Sequence, residues 1–269
     1  MARAIRIPKF RIPIPKLPKT DEPYEDVFEE MTLAEHLEEL RSRIVKACIS
    51  VAVAFIGGII LAGPLLRLIV RQANADTGGG FDIKSPTDPI AIYFKIALYI
   101  AIGFATPAIL WQMIGFLVPG LTRKEKRLLF TSLPFVSLLF VVGASYAFFF
   151  AAPRAFDFLS QFQSSIFRWE PDGSEVISFY LTLMIGLGIA FELPVVMFLL
   201  ARLNVVSAQK LASYRRYAMV LVLIAAAIIT PSTDPFNMAV VAIPLYILYE
   251  FGLIIARIAG RRHTPKPVG

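Results

Sequence analysis

At 269 residues, 57% apolar and only 17% charged, with a mean hydropathy of +0.66, the chain is too apolar for an ordinary soluble domain, whose apolar share is nearer about 45–50%. Composition therefore makes it an integral membrane protein. One cysteine, Cys48, excludes an internal disulfide framework, and two distant histidines, His36 and His263, give no ligand cluster, so neither metal nor cofactor chemistry is expected. The net charge of +7 follows from loop charges placed for membrane orientation and calls for no nucleic-acid partner.

Residues 1–30 carry Arg3, Arg6, Lys9, Arg11, Lys16 and Lys19 among five prolines, with no apolar run of signal-peptide length. They read as a disordered basic cytoplasmic arm, stiffened by proline, beside anionic lipid. Next comes the polar stretch 31–43. Thr32 followed by Glu35 is a capping-box pattern, and Leu33, Leu37, Leu40 and Ile44 form one apolar stripe at helical spacing. Glu35, His36, Glu39 and Arg43 share the opposite face, with Glu39 and Arg43 at i, i+4. Two readings stand: an amphipathic helix lying at the membrane surface, or a carboxylate site for a cationic ligand.

Six apolar stretches follow, at about 44–66, 89–118, 128–152, 178–203, 216–231 and 236–256. An even number puts both ends on one side. Lys and Arg number nine through Lys46, four in 123–127, four across 202–216 and four from Arg257 onward, against five in the intervening loops. The positive-inside rule then places both termini in the cytoplasm. Loops 67–88 and 153–177 fall outside, with Ser85-Pro86 marking re-entry, and the short inner loops force antiparallel neighbours. No inverted repeat is apparent, which weakens a secondary-transporter reading.

Pro64, Pro107, Pro134, Pro194 and Pro244 lie within or at the ends of these stretches and bend them, which leaves a hollow on one flank of the bundle. The fifth stretch, from Tyr217 to Thr230, is short enough that thinning of the membrane is expected around the last two spans.

Glu192, followed by Leu193-Pro194, lies near mid-membrane, where a carboxylate costs at least about 2.5–3.5 kcal/mol on insertion scales. It reads as a docking point for another transmembrane helix, a proton relay, or a neutral acid bonded to a carbonyl freed by Pro194. Lys95 sits about two turns into its span and can snorkel. Glu250 is a second intramembrane acid whose partner the sequence does not identify. In the loop 115–127, Glu125 is one acid among four basic residues: either it neutralises them locally, or it stands beside Glu39, where two carboxylates suit two guanidinium groups.

His36-Leu-Glu-Glu-Leu-Arg41, Ser85-Pro86, Phe116-Leu-Val-Pro119 with Glu125, Phe191-Glu-Leu-Pro194, and Thr230-Pro231 with Asp234 occur in the order, and over the six-span layout, of the TatC family. The chain resembles that family over about residues 31–257. The resemblance implies the multi-spanning subunit of the twin-arginine protein translocase, not an enzyme, resident in the inner membrane of a prokaryote. It implies binding of the paired-arginine signal peptides of folded cargo. It also implies assembly with TatA- and TatB-type single-span proteins and further copies of itself, for export driven by the proton-motive force.

By position, the resemblance assigns Glu39 and Glu125 to the arginines, and Arg41, Phe116 and Pro119 to shaping that surface. It assigns Glu192 and Pro194, with Pro86, Asp234, Asn237 and Met238, to the concave face and partner helices. Two departures occur: Pro231-Ser-Thr-Asp234 is one residue longer than the family's Pro-Pro-Asp, and Met238 replaces a frequent polar residue. The expected architecture is an all-α membrane protein of six transmembrane helices. Its Pro-bent helices form a concave cupped bundle with an N-terminal amphipathic helix, and it divides into an arm at 1–30, a membrane domain at 31–257 and a cytoplasmic tail at 258–269. The competing reading is a proton-coupled small-molecule transporter using Glu192 and Glu250. An intramembrane enzyme lacks a nucleophile–base pair.

Overall fold

In hydrocarbon every backbone N–H and C=O must be bonded within its own segment, so the apolar runs fold as helices and break where proline or polar residues intervene. The computed structural model describes residues 33–73, 81, 84–117, 123–166, 171–202, 206–230, 232 and 234–260. The basic arm, Thr32 of the expected capping box, Pro119, Pro231 and the tail lie outside them, as does the side chain of Glu125. The order is α1 Leu33–Ala73, α2 Asp88–Leu117, α3 Arg123–Tyr146, a π-turn at Ala147–Ala151, α4 Ala152–Gln161, α5 Gly173–Ala190, α6 Leu193–Arg202, α7 Ala208–Ser213, α8 Arg215–Ile229 and α9 Pro235–Gly260.

Among the described residues, five stretches are long and apolar enough to cross a membrane: Ala34–Ala73, Asp88–Met113, Phe130–Gln161, Gly173–Arg202 and Pro235–Ile258. The fifth apolar run of the sequence is α8. Its 15 residues rise about 22 Å against a hydrocarbon layer of about 30 Å.

Contacts between helix ends fix their directions. His36 stacks on Phe116 (ring centroids 4.2 Å apart) and Trp111 on Phe130 (3.9 Å), so the start of α1, the end of α2 and the start of α3 share one end of the bundle, the near end. At the far end the Lys84 ammonium lies 3.7 Å from the Asp172 carboxylate, and Phe158 stacks on Phe236 at 4.4 Å, joining α4 to α9. Arg215 pairs with Glu250 towards the near end.

The polar stretch 31–43 does not form a separate surface helix within the described residues. No proline stands between Arg43 and Pro64, so it runs into the first apolar stretch as one 41-residue helix that continues through Pro64. That helix lies along α2. Gly58 meets the backbone of Ala97 so closely that a Cβ would overlap its carbonyl, and the Tyr93 hydroxyl donates to the carbonyl of Ile59 at 2.7 Å.

The third apolar stretch continues past 152, and the loop expected at 153–177 carries α4. Proline supplies the reason: Pro153 has no N–H to extend the α ladder, and the helix widens into the π-turn just before it. The widened turn turns the Phe148 carbonyl outward, where Gln72 Nε2 donates to it at 3.0 Å. The fourth stretch is broken at Phe191–Glu192. Pro194 becomes the second residue of α6, a position whose missing N–H no helical bond requires.

Ile96, Tyr180, Leu181, Leu183 and Leu187 are buried at the centre, while Val53, Ile60, Phe149 and Ile228 face outward, as a lipid solvent permits. Gly143 lets α3 touch α5 directly, since a Cβ there would stand 2.6 Å from the Leu187 carbonyl. A cavity of about 440 Å³ opens between α1, α2, α3 and α5, lined by residues such as Leu65, Phe104, Phe140, Phe148 and Met184. Glu192 is not among its lining residues.

Candidate functional site

At the near end, one turn of α1 carries Glu39 and Arg43 on the same face, as their spacing predicts. Arg43 donates to Glu39 Oε1 from Nη2 at 3.0 Å and from Nε at 3.3 Å, and from Nη1 to Gln112 Oε1 on α2 at 3.4 Å. Glu39 Oε2 is buried and has no partner among the described residues. Beside them, His36 and Phe116 stack, closing α1 onto the last turn of α2. The result is a carboxylate with one oxygen bonded and one unpaired among the described residues, one turn along α1 from the His36–Phe116 stack. Such a group suits a donor that is planar and positively charged.

Arg41 is exposed on the neighbouring face of α1. Glu125 lies in the first turn of α3, whose start shares the near end with Glu39 through the Trp111–Phe130 stack. Gln112, which the sequence reading did not single out, lies 69 residues from Arg43, and no local spacing reveals that contact.

Glu192 occupies the break between α5 and α6. Its side chain is buried and its Oε1 has no partner among the described residues. Phe191 beside it stacks on Tyr146 at 5.8 Å, and Pro194, fully buried, packs with Met197 against Gly252 of α9. Buried polar atoms are nearly always bonded, and Glu192 Oε1 is an exception among the described residues.

Glu250 and Lys95, the other two intramembrane charges that the sequence singles out, each have a polar partner. Glu250 accepts from Arg215 at 2.8 Å and from the Tyr246 hydroxyl at 3.3 Å. Lys95 donates to Ser178 Oγ at 2.9 Å, tying α2 to α5 rather than reaching only for water.

At the far end, Asp234 is the N-cap of α9. Its Oδ1 accepts from the backbone N–H of Asn237 at 2.8 Å, its Oδ2 from Asn237 Nδ2 at 2.7 Å, and Pro235 takes the first helical position. Asn237 is buried, donates also to Ser232, and leaves Oδ1 unpaired. Met238 is half-buried against the main core. Pro86 is exposed in the turn before α2, where the Ser85 N–H donates to Asp88 Oδ2 and the Asp88 N–H to the Ser85 carbonyl. Asp172 caps α5 through Ser174 N and also faces Lys84. These far-end residues are thus brought near helix starts, apart from Glu39.

A family model described as Sec-independent protein translocase protein (TatC) matches residues 35–244. A TatC protein of Carboxydothermus hydrogenoformans is 36% identical over 231 residues, covering 84% of this chain and 93% of that one. TatCy of Bacillus subtilis is 33% identical, with 87% and 91% covered, and the chloroplastic TATC of Arabidopsis thaliana is 34% identical, with 86% and 68% covered. A crystal structure of a twin arginine translocase receptor, TatC, superposes with a TM-score of 0.73 at 32% identity, covering 84% of this chain and 99% of that one. An all-helical membrane bundle of this order, matched over most of its length in sequence and in space, belongs to the TatC family: the chain is a multi-pass membrane component of the Sec-independent protein translocase.

Proposed function

We propose that this chain is the receptor subunit of its translocase and that Glu39 and Glu125 hold the two arginines of a cargo signal peptide. The observation that carries the reading is the half-occupied Glu39 carboxylate, at the same end of the bundle as the first turn of α3. A guanidinium stays charged at working pH and can meet two oxygens at once, so it is the group such a seat selects. Arg41, Phe116 and Pro119 shape the rim. The near end is the cytoplasmic side of a prokaryotic inner membrane, both termini lie there, and α8 is the fifth of six crossings. The arm at 1–30 touches anionic lipid, residues 31–257 form the membrane domain and 258–269 a cytoplasmic tail.

After the arginines are seated, the apolar part of the signal enters the bundle flank near Glu192 and Pro194. TatA- and TatB-type single-span helices dock on that flank and towards Pro86, Asp234, Asn237 and Met238. Other copies of the chain complete the assembly, and the proton-motive force drives transport. The unpaired oxygens of Glu192 and Asn237 support polar docking there.

The test is photo-crosslinking of a paired-arginine signal peptide to probes placed beside Glu125, combined with export of a folded cargo. Crosslinks that disappear in Glu39→Ala and Glu125→Ala, with membrane insertion intact, are expected. Undiminished export in both single variants overturns the reading.

A further inference from the structure

The two oxygens of Glu39 are in unlike situations. Oε1 takes two N–H groups from Arg43, whereas Oε2 is buried and takes none among the described residues. The strongest arginine–carboxylate pairing sets two parallel N–H groups against two oxygens. Arg43 does not reach that arrangement, being one turn away on the same helix and held on its other side by Gln112. Both side chains are largely shielded, at 25% and 17% exposure, so the resident pair is only weakly screened by water.

We propose that Arg43 is the resident occupant of the guanidinium seat on Glu39, and that by competing for it Arg43 sets the discrimination between arginine- and lysine-bearing signal peptides. This rests on the reading that Glu39 receives a signal arginine. An incoming guanidinium that exchanges with Arg43 meets both oxygens and so gains the bond to Oε2 that the resident lacks. Arg43 keeps Gln112 and turns its freed edge to water. An incoming ammonium is a point donor. It replaces the hydrogen bonds of Arg43 at Oε1 or fills Oε2, but not both in one plane, and so gains little by the exchange. A seat empty from the start would admit either cation; one already filled by a poorly fitted arginine admits only a better-fitted one.

The experiment measures binding of two fluorescent signal peptides, one with Arg-Arg and one with Lys-Lys, to the full chain in lipid nanodiscs. Arg43→Gln is expected to tighten the Lys-Lys peptide by about tenfold while the Arg-Arg peptide changes by less than about threefold, so that the preference narrows. Arg43→Lys, which keeps a cation on the face, should narrow it by a smaller factor and carries the test if Arg43→Gln fails to fold. An unchanged preference in either folded variant, or equal weakening of both peptides, overturns the competition and leaves Arg43 as a positioning residue. Glu39→Gln separates the two levels. If it abolishes binding while the Arg43 variants leave the preference intact, this proposal alone falls; if it binds Arg-Arg like the parent, the seat itself falls.

Discussion

Arg215 and Glu250 meet at 2.8 Å across 35 residues of sequence, fastening the first residue of α8 to the body of α9. The Tyr246 hydroxyl completes the cluster on the second carboxylate oxygen. The pair is partly exposed, at 46% and 32%, so its contribution is discounted to about 0.2–1 kcal/mol. Arg215→Gln or Glu250→Gln should lower the unfolding temperature in detergent by a few degrees at most, on the order of 2–4 °C per kcal/mol. The exchange Arg215→Glu with Glu250→Arg should recover part of that loss. Equal losses in single and double variants would show that the contact does not stabilise the chain.

Gly58 and Gly57 offer a matched comparison. A Cβ on Gly58 runs into the backbone of Ala97, while one on Gly57 meets nothing within 4 Å. Gly58→Ala is expected to push α1 off α2 and cost about 1–3 kcal/mol, the usual range for overpacking, whereas Gly57→Ala should be neutral or slightly stabilising. Thermal unfolding of the two purified variants decides the matter; similar curves would refute the close approach.

Asp234 allows its structural duty to be separated from any role in transport. Asp234→Ala removes the cap of α9 and a partner of buried Asn237, costing about 0.5–2 kcal/mol for the cap alone. Asp234→Ser keeps a capping oxygen and should recover most of the stability. If export follows stability across the two variants, Asp234 serves the fold. If Asp234→Ser is stable yet inactive, the carboxylate has a further task.

The short α8 predicts thin membrane beside it. In a Cys48→Ser background, Ile228→Cys on α8 should react with a water-soluble thiol reagent from the far side, while Ile56→Cys on α1 should stay protected. Both side chains face outward, so local exposure to protein does not explain a difference. Equal protection at the two sites would argue for a layer of full thickness.

Hydropathy alone marks the membrane-crossing runs, because hydrocarbon tolerates few polar groups and each run must close its own hydrogen bonds. The Glu39–Arg43 pair is equally legible, being a consequence of helical spacing. Contacts that join distant segments are not. Nothing local links Arg43 to Gln112, Lys95 to Ser178, or Arg215 to Glu250. Pro194 is compatible with a kink as much as with the break observed at Phe191–Glu192, and only packing against Gly252 shows which occurs. Asp234-Pro235 ahead of an apolar run is an N-cap signal in its own right, although family likeness alone drew attention to it.

The unbroken α1 has a mechanical consequence. Forty-one residues make a shaft about 60 Å long, roughly twice the hydrocarbon depth. Anything that moves the end near Glu39 also moves α2, since His36 on Phe116, Arg43 on Gln112 and Gly58 against Ala97 fasten the two helices along their length.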